Sequence, residues 1–259
     1  MKLFLLLFIL LIPVATAKVV VIGMDGLGGK YITEDNAPFV TSLFKQGTYC
    51  TNVQSVLPAI SASNWYSAFS GVSSKQHGVI SDTKNSEYPH KTIFEKYDSS
   101  LYYTATVKPA IENHIMKGTW SLTDQGTLNK ARTSQLTFVH FDYIDIYGHL
   151  FGYNSKLYNW MVKKVDKKVK TFVEKLPKET TILIMSDHGG LRKSHKEDTP
   201  EERTAFMVMV GEGIKQNNQI KEMQIYEITP MIEKALQGPT KKNIWKEGSF
   251  LHFLWERFS

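Results

Sequence analysis

The sequence predicts an α/β fold, a three-layer α/β/α sandwich with a largely parallel central sheet. Short apolar runs rich in β-branched residues alternate with amphipathic helical segments along the whole chain. Three of these runs lead into segments that carry aspartate. The carboxyl ends of strands in open α/β sheets form the crevice in which ligands bind, so this pattern also predicts a site.

The first 17 residues are predicted to be a signal peptide. Met1-Lys2 precedes an apolar run from Leu3 to Val14, and Ala15-Thr16-Ala17 has the small-x-small form of a cleavage site. A membrane span needs about twenty apolar residues, which makes a retained anchor the weaker alternative. We expect residues 18–259 to form one domain, secreted or luminal in the secretory pathway, with no stable membrane span in the mature chain.

Composition excludes several classes of protein. Cys50 is the only cysteine, so no intrachain disulfide can form. The net charge of +6 comes from scattered lysines rather than from one basic face with stacking aromatics, and we expect no nucleic acid binding.

The segment Asn154–Leu176 is predicted to be the longest helix. Its apolar stripe, which includes Leu157 and Trp160, is interpreted as core packing and its lysines as a solvated face.

The first strand candidate, Lys18–Met24, runs into Asp25-Gly26-Leu27-Gly28-Gly29. A dinucleotide-binding turn would need a third glycine where Tyr31 stands, so that interpretation fails. Asp25 is interpreted as a metal-binding carboxylate at a strand end, and an ordinary Asp-Gly turn is the alternative. A short helix (36–46) and a strand around Cys50 (47–53) are predicted to follow.

Ser61 is predicted to lie at or near the start of a helix that ends at Gly71. Free backbone N–H groups and the helix dipole at that position favour an anion. The alternative is that Ser61 or Ser63 only caps the helix.

Two later strand ends carry the remaining candidates. The strand Leu136–Phe141 leads into Asp145 and His149, which are four residues apart and would share one helix face. The strand Thr180–Met185 precedes Asp187, His188 and, further on, His195. Aspartate and histidine are suitable ligands for zinc and similar ions. Further elements are predicted within 93–107, at 205–210 and at 229–236.

Taken together, these stretches resemble the alkaline phosphatase superfamily, and most closely its type I phosphodiesterase/nucleotide pyrophosphatase branch. Serine stands at position 61 where that branch usually has threonine, Ser63 replaces a common proline, and Lys196 replaces a glycine after His195, which makes His195 the weakest match. The sulfatase segment is absent. The matching segments are Asp25, Pro58-x-x-Ser61-x-x-Asn64-Trp65, Ser70-Gly71, His77-Gly78, Asp145-x-x-Gly148-His149-x-x-Gly152, Asp187-His188-Gly189, His195, Thr229-Pro230 to Leu236, Pro239, Trp245 and Gly248.

The resemblance implies two divalent metal ions, most simply Zn²⁺. It assigns Asp25, Asp187, His188 and Ser61 to one ion. It assigns Asp145, His149 and His195 to the other. By the same resemblance Ser61 is the nucleophile and forms a phosphoserine, while Asn64 and backbone N–H groups hold the phosphoryl oxygens. Ser63 is the alternative nucleophile.

The predicted function is a secreted, two-metal hydrolase of phosphodiester or pyrophosphate bonds in a small phosphorylated substrate, a nucleotide or another phosphodiester. A phosphomonoesterase or phosphonate hydrolase of the same superfamily is the near alternative. A non-catalytic relative that only binds is the distant one. The sequence does not specify the oligomeric state.

Overall fold

A computed structural model describes residues 17–82 and 90–238, and these form a mixed sheet covered by helices on both faces. The strand order is β4-β3-β5-β1-β6-β7-β2-β8, and β9 pairs with β2. Strands β4, β3, β5, β1 and β6 are mutually parallel, while β7 runs antiparallel to both β6 and β2. The predicted three-layer fold with a largely parallel sheet is therefore confirmed.

The strands of the described chain are β1 Val19–Met24, β2 Thr48–Gln54, β3 Ser99–Thr104, β4 Thr119–Ser121, β5 Leu136–Phe141, β6 Thr181–Met185, β7 Thr204–Val210, β8 Asn218–Gln219 and β9 Met223–Gln224. The α-helices are α1 Pro38–Ser42, α2 Ser61–Ser70, α3 Ser74–His77, α4 Lys108–Glu112, α5 Asp124–Lys130, α6 Tyr143–Phe151, α7 Lys156–Val173, α8 Pro200–Arg203 and α9 Ile228–Leu236. Short 3₁₀ turns lie at Gly29–Tyr31, Phe44–Gln46, Ile93–Glu95 and Ile225–Glu227.

The two faces of the sheet carry separate cores. One core packs α2 and α9 against the sheet, with Trp65 and Phe69 at its centre. The other packs α1, α6 and α7, with Tyr158 and Val165 fully buried. Strand β1 contributes alternate side chains to both cores, as expected for a strand covered on its two faces. This arrangement holds the central strands β5, β1 and β6 rigidly, and their ends carry the candidate site.

Most predicted elements lie within a few residues of their expected places, but one packing prediction is wrong. The side chains of Leu157 and Trp160 are 46% exposed, and the first turns of α7 instead bury Tyr158, Met161 and Val162. Trp160 lies beside Tyr147 of α6 instead of against the sheet. The sequence interpretation also missed β4, α4 and α5, which are short and have little periodicity.

The signal-peptide prediction for residues 1–17 and the tail matches at Pro239, Trp245 and Gly248 lie almost entirely outside the described residues. Within 17–82 and 90–238, none of the helices has both the length and the apolar character that a membrane crossing requires.

Candidate active site

Three neighbouring strands bring the predicted ligands together. Strands β5, β1 and β6 are adjacent and parallel, so their carboxyl ends meet at the same edge. Asp25 follows β1, Asp145 lies in the first turn of α6 after β5, and Asp187 follows β6. The strand register therefore brings three carboxylates together at the carboxyl-terminal edge of the sheet. Open α/β sheets bind ligands in the crevice at this edge.

The first cluster consists of Asp25, Asp187, His188 and Ser61, and we call it the buried cluster. His188 Nε2 lies 3.3 Å from Asp187 Oδ2 and 3.5 Å from Asp25 Oδ1, and all three side chains are buried. Ser61 is the first residue of α2, and its Oγ is 3.4 Å from Asp25 Oδ1. These atoms point inward to a common centre.

Local hydrogen bonds fix the buried cluster. Asp187 Oδ1 accepts the Gly26 N–H at 3.2 Å, and His188 Nδ1 pairs with the carbonyl of Gly189 at 2.8 Å, which turns Nε2 toward the carboxylates. Gly26 has a φ of +69° and lies against Asp145, where an added Cβ would meet Asp145 Oδ1 at 2.4 Å. Glycine is needed here because it alone allows both the turn and this close approach.

The second cluster consists of Asp145, His149 and His195, and we call it the open cluster. His149 Nε2 is 3.2 Å from Asp145 Oδ2 and 3.0 Å from His195 Nε2. The His149 side chain is 39% exposed, against 12% for Asp145 and 7% for His195. The rings of His188 and His195 stack with centroids 3.9 Å apart, so the two clusters adjoin.

The protonation of the two clusters differs. Burial and the charge of Asp145 raise the pKa of Asp25 to about 8, and burial together with Asp25 raises the pKa of Asp187 well above its ordinary value. Burial lowers the pKa of His188 to about 3. In the open cluster, the hydrogen bond to Asp145 raises the pKa of His149 to about 9. Burial acts to raise the pKa of Asp145, but its histidine neighbours outweigh that effect and the net shift is downward.

The donor set fits divalent cations. Asp187 Oδ2 and His188 Nε2 are buried and have no hydrogen-bond partner among the described residues. Without a ligand, burying such polar atoms is unfavourable in free energy. Three converging carboxylates also repel one another until a positive charge separates them. Within each cluster the ligand atoms are close enough together to hold one ion. Carboxylate oxygens and imidazole nitrogens are among the donors that bind zinc.

A cavity of about 430 Å³ opens beside the two clusters. Ser61, Asp145, His149 and His195 line it. Lys196 adds a positive charge to its wall, although the sequence interpretation treated that residue only as a departure from the family pattern. The whole open cluster therefore lines this cavity, whereas the buried cluster contributes only Ser61 to its wall.

Asn64 needs a correction, because the structure does not bring it to the cavity. Its side chain is fully buried, its Oδ1 accepts the Val56 N–H at 2.7 Å, and its Nδ2 donates to the carbonyl of Ile60 at 3.1 Å. The amide stabilises the turn before α2 instead of facing a phosphoryl group. One of the backbone N–H groups expected to hold the phosphoryl oxygens is also already used, since Asp82 Oδ1 accepts the Ala62 N–H at 2.9 Å.

Ser63 is equally unsuited to attack a substrate. It is fully buried, and its hydroxyl donates to the carbonyl of Val79 at 2.6 Å. Ser61, whose Oγ lies at the buried cluster and whose side chain lines the cavity, is therefore the nucleophile candidate that the geometry favours.

Three buried side chains around the clusters were missed by the sequence interpretation. His140 and Trp65 both hydrogen-bond to Asp25, and the Tyr153 hydroxyl donates to Asp145 Oδ1. The signal for His140 was present, because it is the one ionisable residue inside the apolar strand Leu136–Phe141. Trp65 and Tyr153 gave no such signal, since buried aromatics usually only pack.

The sequence of this chain also matches a known protein family. The sequence profile of the type I phosphodiesterase/nucleotide pyrophosphatase family matches residues 19–98 and 84–207. The chain belongs to this family. That membership supports hydrolase activity on phosphodiester or pyrophosphate bonds as the general class of function.

The curated relatives of this family are distant and longer. Bis(5'-adenosyl)-triphosphatase enpp4 of Xenopus laevis is 24% identical over 224 residues, which cover 68% of this chain and 47% of that protein. The uncharacterized pyrophosphatase/phosphodiesterase C725.05c of Schizosaccharomyces pombe is 23% identical over 217 residues, or 67% of this chain and 44% of that protein. The chain thus spans about half the length of the curated relatives that it matches.

Solved structures of the family share the fold. An inactive variant of murine ectonucleotide pyrophosphatase/phosphodiesterase 5, in complex with AMP, superposes with a TM-score of 0.72 at 13% identity, covering 94% of this chain and 100% of that one. The human protein gives a TM-score of 0.71 at 13% identity, covering 90% of this chain and 97% of that one. At this identity the likeness establishes the fold alone.

Proposed function

We propose that this protein is a secreted, two-metal phosphoric ester hydrolase that cleaves phosphodiester or pyrophosphate bonds through a phosphoserine at Ser61. The observation that supports it most is the convergence of the buried and open clusters on one cavity, with Ser61 Oγ 3.4 Å from Asp25 Oδ1. The secretory location rests on the leader sequence of residues 1–17.

The substrate is proposed to be a small nucleotide or a similar phosphodiester. The murine relative was solved with AMP, and the frog relative is named for a bis-adenosyl triphosphate. The cavity of about 430 Å³ is large enough for such a ligand, and Lys196 offers a charge for a phosphate. Asp82 and Asp142 on the same wall disfavour a substrate group with additional negative charge.

Two zinc-like ions, held by Asp25, Asp187 and His188 and by Asp145, His149 and His195, would withdraw charge from the phosphoryl group and favour ionised hydroxyls. Ser61 Oγ would attack phosphorus, forming the Oγ–P bond while the bond from phosphorus to the leaving oxygen breaks, and the proton lost by the Ser61 hydroxyl would end on the leaving group or in solvent. Water would then cleave the phosphoserine and regenerate the Ser61 hydroxyl.

The chain's own residues set the geometry of this attack. Ser61 starts α2, so its position is fixed by the helix and by the turn that Asn64 stabilises. Asp25, Asp187 and His188 are buried beside Ser61, and the cavity that Ser61 lines would give space to the substrate and its leaving group.

The test compares bis(p-nitrophenyl) phosphate with p-nitrophenyl phosphate on purified, zinc-loaded protein. We expect faster turnover of the diester, loss of turnover on chelation and recovery on adding zinc. A preference for the monoester would establish the phosphomonoesterase alternative. Bound zinc without turnover of any phosphoester would establish the binding relative.

A further inference from the structure

The carboxylate of Asp25 is held asymmetrically. Its Oδ2 accepts two hydrogen bonds, from Trp65 Nε1 at 3.1 Å and from His140 Nε2 at 2.8 Å. Its Oδ1 faces the open centre of the buried cluster, 3.4 Å from Ser61 Oγ and 3.5 Å from His188 Nε2. One oxygen is therefore occupied by protein donors and the other remains available to a ligand.

The fold places both donors without freedom to move. His140 lies in β5 directly opposite Gly23 of β1, two residues before Asp25, so its ring lies on the same face of the sheet as Asp25. The indole of Trp65, which extends from α2, packs directly on Gly23. A Cβ added at Gly23 would lie 2.7 Å from this indole. The His140 and Trp65 rings meet edge to face with centroids 5.3 Å apart, and both are fully buried.

The surroundings of His140 identify it as a neutral hydrogen-bond donor. Its Nδ1 is buried and has no hydrogen-bond partner among the described residues, which suits a lone pair better than an N–H. We therefore assign the proton to Nε2, where Asp25 accepts it.

A third metal site is the competing interpretation, because Asp25, His140 and Asp142 have donor atoms within 4.8 Å of one another. The contacts argue against it. The Trp65 N–H, which can only donate, already occupies Asp25 Oδ2, the oxygen that lies next to His140 Nε2. The second carboxylate, Asp142, already accepts a hydrogen bond from Thr104 Oγ1 at 3.1 Å.

We propose that His140 is a positioning residue: together with Trp65 it holds Asp25 Oδ2, so that Oδ1 alone is presented to the cation of the buried cluster and to Ser61. This inference rests on the proposed function for its catalytic consequence but not for its effect on metal binding. Donors behind metal ligands orient them, and losing one costs roughly 10–100-fold in metal affinity or activity.

The test uses three variants that separate the hydrogen bond from packing. His140→Phe keeps an aromatic ring against Trp65 and Phe138 but removes the donor, whereas His140→Gln places an amide N–H near the original Nε2. Phe138→Leu disturbs the same wall without touching Asp25 and is the packing control. Zinc affinity is measured by competition with a chromophoric chelator, and kcat and KM are measured on bis(p-nitrophenyl) phosphate.

For His140→Phe we expect about 10–100-fold weaker binding of one zinc of the two and a lower kcat at unchanged KM. His140→Gln should recover most of both losses, and Phe138→Leu should lower the melting temperature but not the zinc affinity. Wild-type affinity in His140→Phe, or no recovery in His140→Gln, would overturn the proposal, as would three zinc ions per wild-type chain.

Trp65→Phe provides a second route that does not depend on His140 variants folding. It removes the other donor to Asp25 Oδ2 and should weaken the same zinc site. Unaltered affinity in a folded Trp65→Phe protein would also count against the proposal. If wild-type protein turns over no phosphoester, the proposed function fails, but the zinc measurements still decide the role of His140.

Discussion

The buried and open clusters use the same types of ligand in opposite electrostatic settings. In the buried cluster the imidazole of His188 is neutral and the carboxylates of Asp25 and Asp187 have raised pKa values. In the open cluster the pKa of Asp145 is lowered and that of His149 is raised to about 9. Different causes dominate: the hydrogen bond to Asp145 raises the pKa of His149, whereas burial has the largest effect on the pKa values of Asp25, Asp187 and His188.

This difference indicates a division of labour. A cation in the buried cluster would be enclosed with Ser61 and hard to exchange, while one in the open cluster would meet water and a leaving group through the cavity. Substitutions, metal exchange and changes of pH can each distinguish the two clusters by experiment. Loss of the nucleophile should have the largest effect, on turnover.

The first prediction concerns the nucleophile at the edge of the buried cluster. Ser61→Ala should reduce turnover of a phosphodiester by on the order of 10³-fold or more, because the attacking oxygen is lost while the aspartate and histidine ligands remain. The measurement is kcat with zinc content determined on the same sample. Ser63→Ala is the matched control; it loses one buried hydrogen bond, worth about 1 kcal/mol, and should keep its turnover. Equal loss in both variants would contradict the assignment of Ser61.

The second prediction separates the clusters by metal exchange. When excess chelator is added to zinc-loaded protein, zinc should leave in two phases, a fast one from the open cluster and a slow one from the buried cluster. His149→Ala should remove the fast phase and Asp187→Ala the slow one, since each loses one ligand. Stopped-flow measurement with an absorbing chelator resolves the phases. A single phase in wild-type protein would show that exposure does not distinguish the two sites.

The third prediction concerns the pH dependence of stability without metal. Folded Asp25 keeps its proton up to about pH 8, against 3.8 for the ordinary side chain, and folded His149 keeps its proton up to about pH 9, against 6.5. Between pH 6.5 and 8 the folded state therefore binds more protons than the unfolded state at both positions. Stability in chelator must then fall as the pH rises.

Thermal unfolding in chelator at several pH values tests this expectation. The melting temperature should fall between pH 6.5 and 8, and the gain from added zinc should grow, because zinc replaces the protons. Asp25→Asn should show a shallower decrease than wild type, since it cannot titrate. A melting temperature that rises over this range in chelator would contradict the raised pKa values.

The sequence predicted which carboxylates meet at the edge of the sheet because they follow strand ends, and strands are easy to recognise. Asp25, Asp145 and Asp187 each come after an apolar run whose neighbour relations follow from α/β topology. The hydrogen-bond partners of the side chains around these carboxylates cannot be inferred from strand positions. Asn64 has the right spacing for the cavity, yet its amide is used by a local turn, and Asp82 reaches the Ala62 N–H from 20 residues away.

Amphipathic periodicity was similarly limited at the start of α7. Leu157 and Trp160 fit the apolar stripe of the helix, but both side chains remain half-exposed because Tyr158, Met161 and Val162 occupy the buried side of these turns. A periodic pattern indicates a helix face, whereas the side of the helix that the core covers depends on tertiary structure.

The last prediction uses a buried carboxylate outside the site as a reference for those within it. Asp166 of α7 is almost fully buried, and both its oxygens accept N–H groups at the start of α1, from Phe39 and Val40, each at 3.0 Å. Asp187 Oδ2 has no such partner among the described residues. A satisfied carboxylate stabilises the fold, while an unsatisfied one among like charges is kept for a ligand.

Asp166→Ala should therefore lower the free energy of unfolding by about 1–2 kcal/mol, as the loss of a helix cap does, with zinc content and kcat unchanged. Asp187→Asn should have the opposite effects. It should abolish zinc binding at the buried cluster and leave the chelated protein about as stable as wild type, because the amide oxygen can still accept the Gly26 N–H and the raised pKa already keeps the aspartate protonated. Denaturant unfolding in chelator measures both. Equal destabilisation by the two substitutions would show that Asp187 Oδ2 is part of the fold rather than a group reserved for metal.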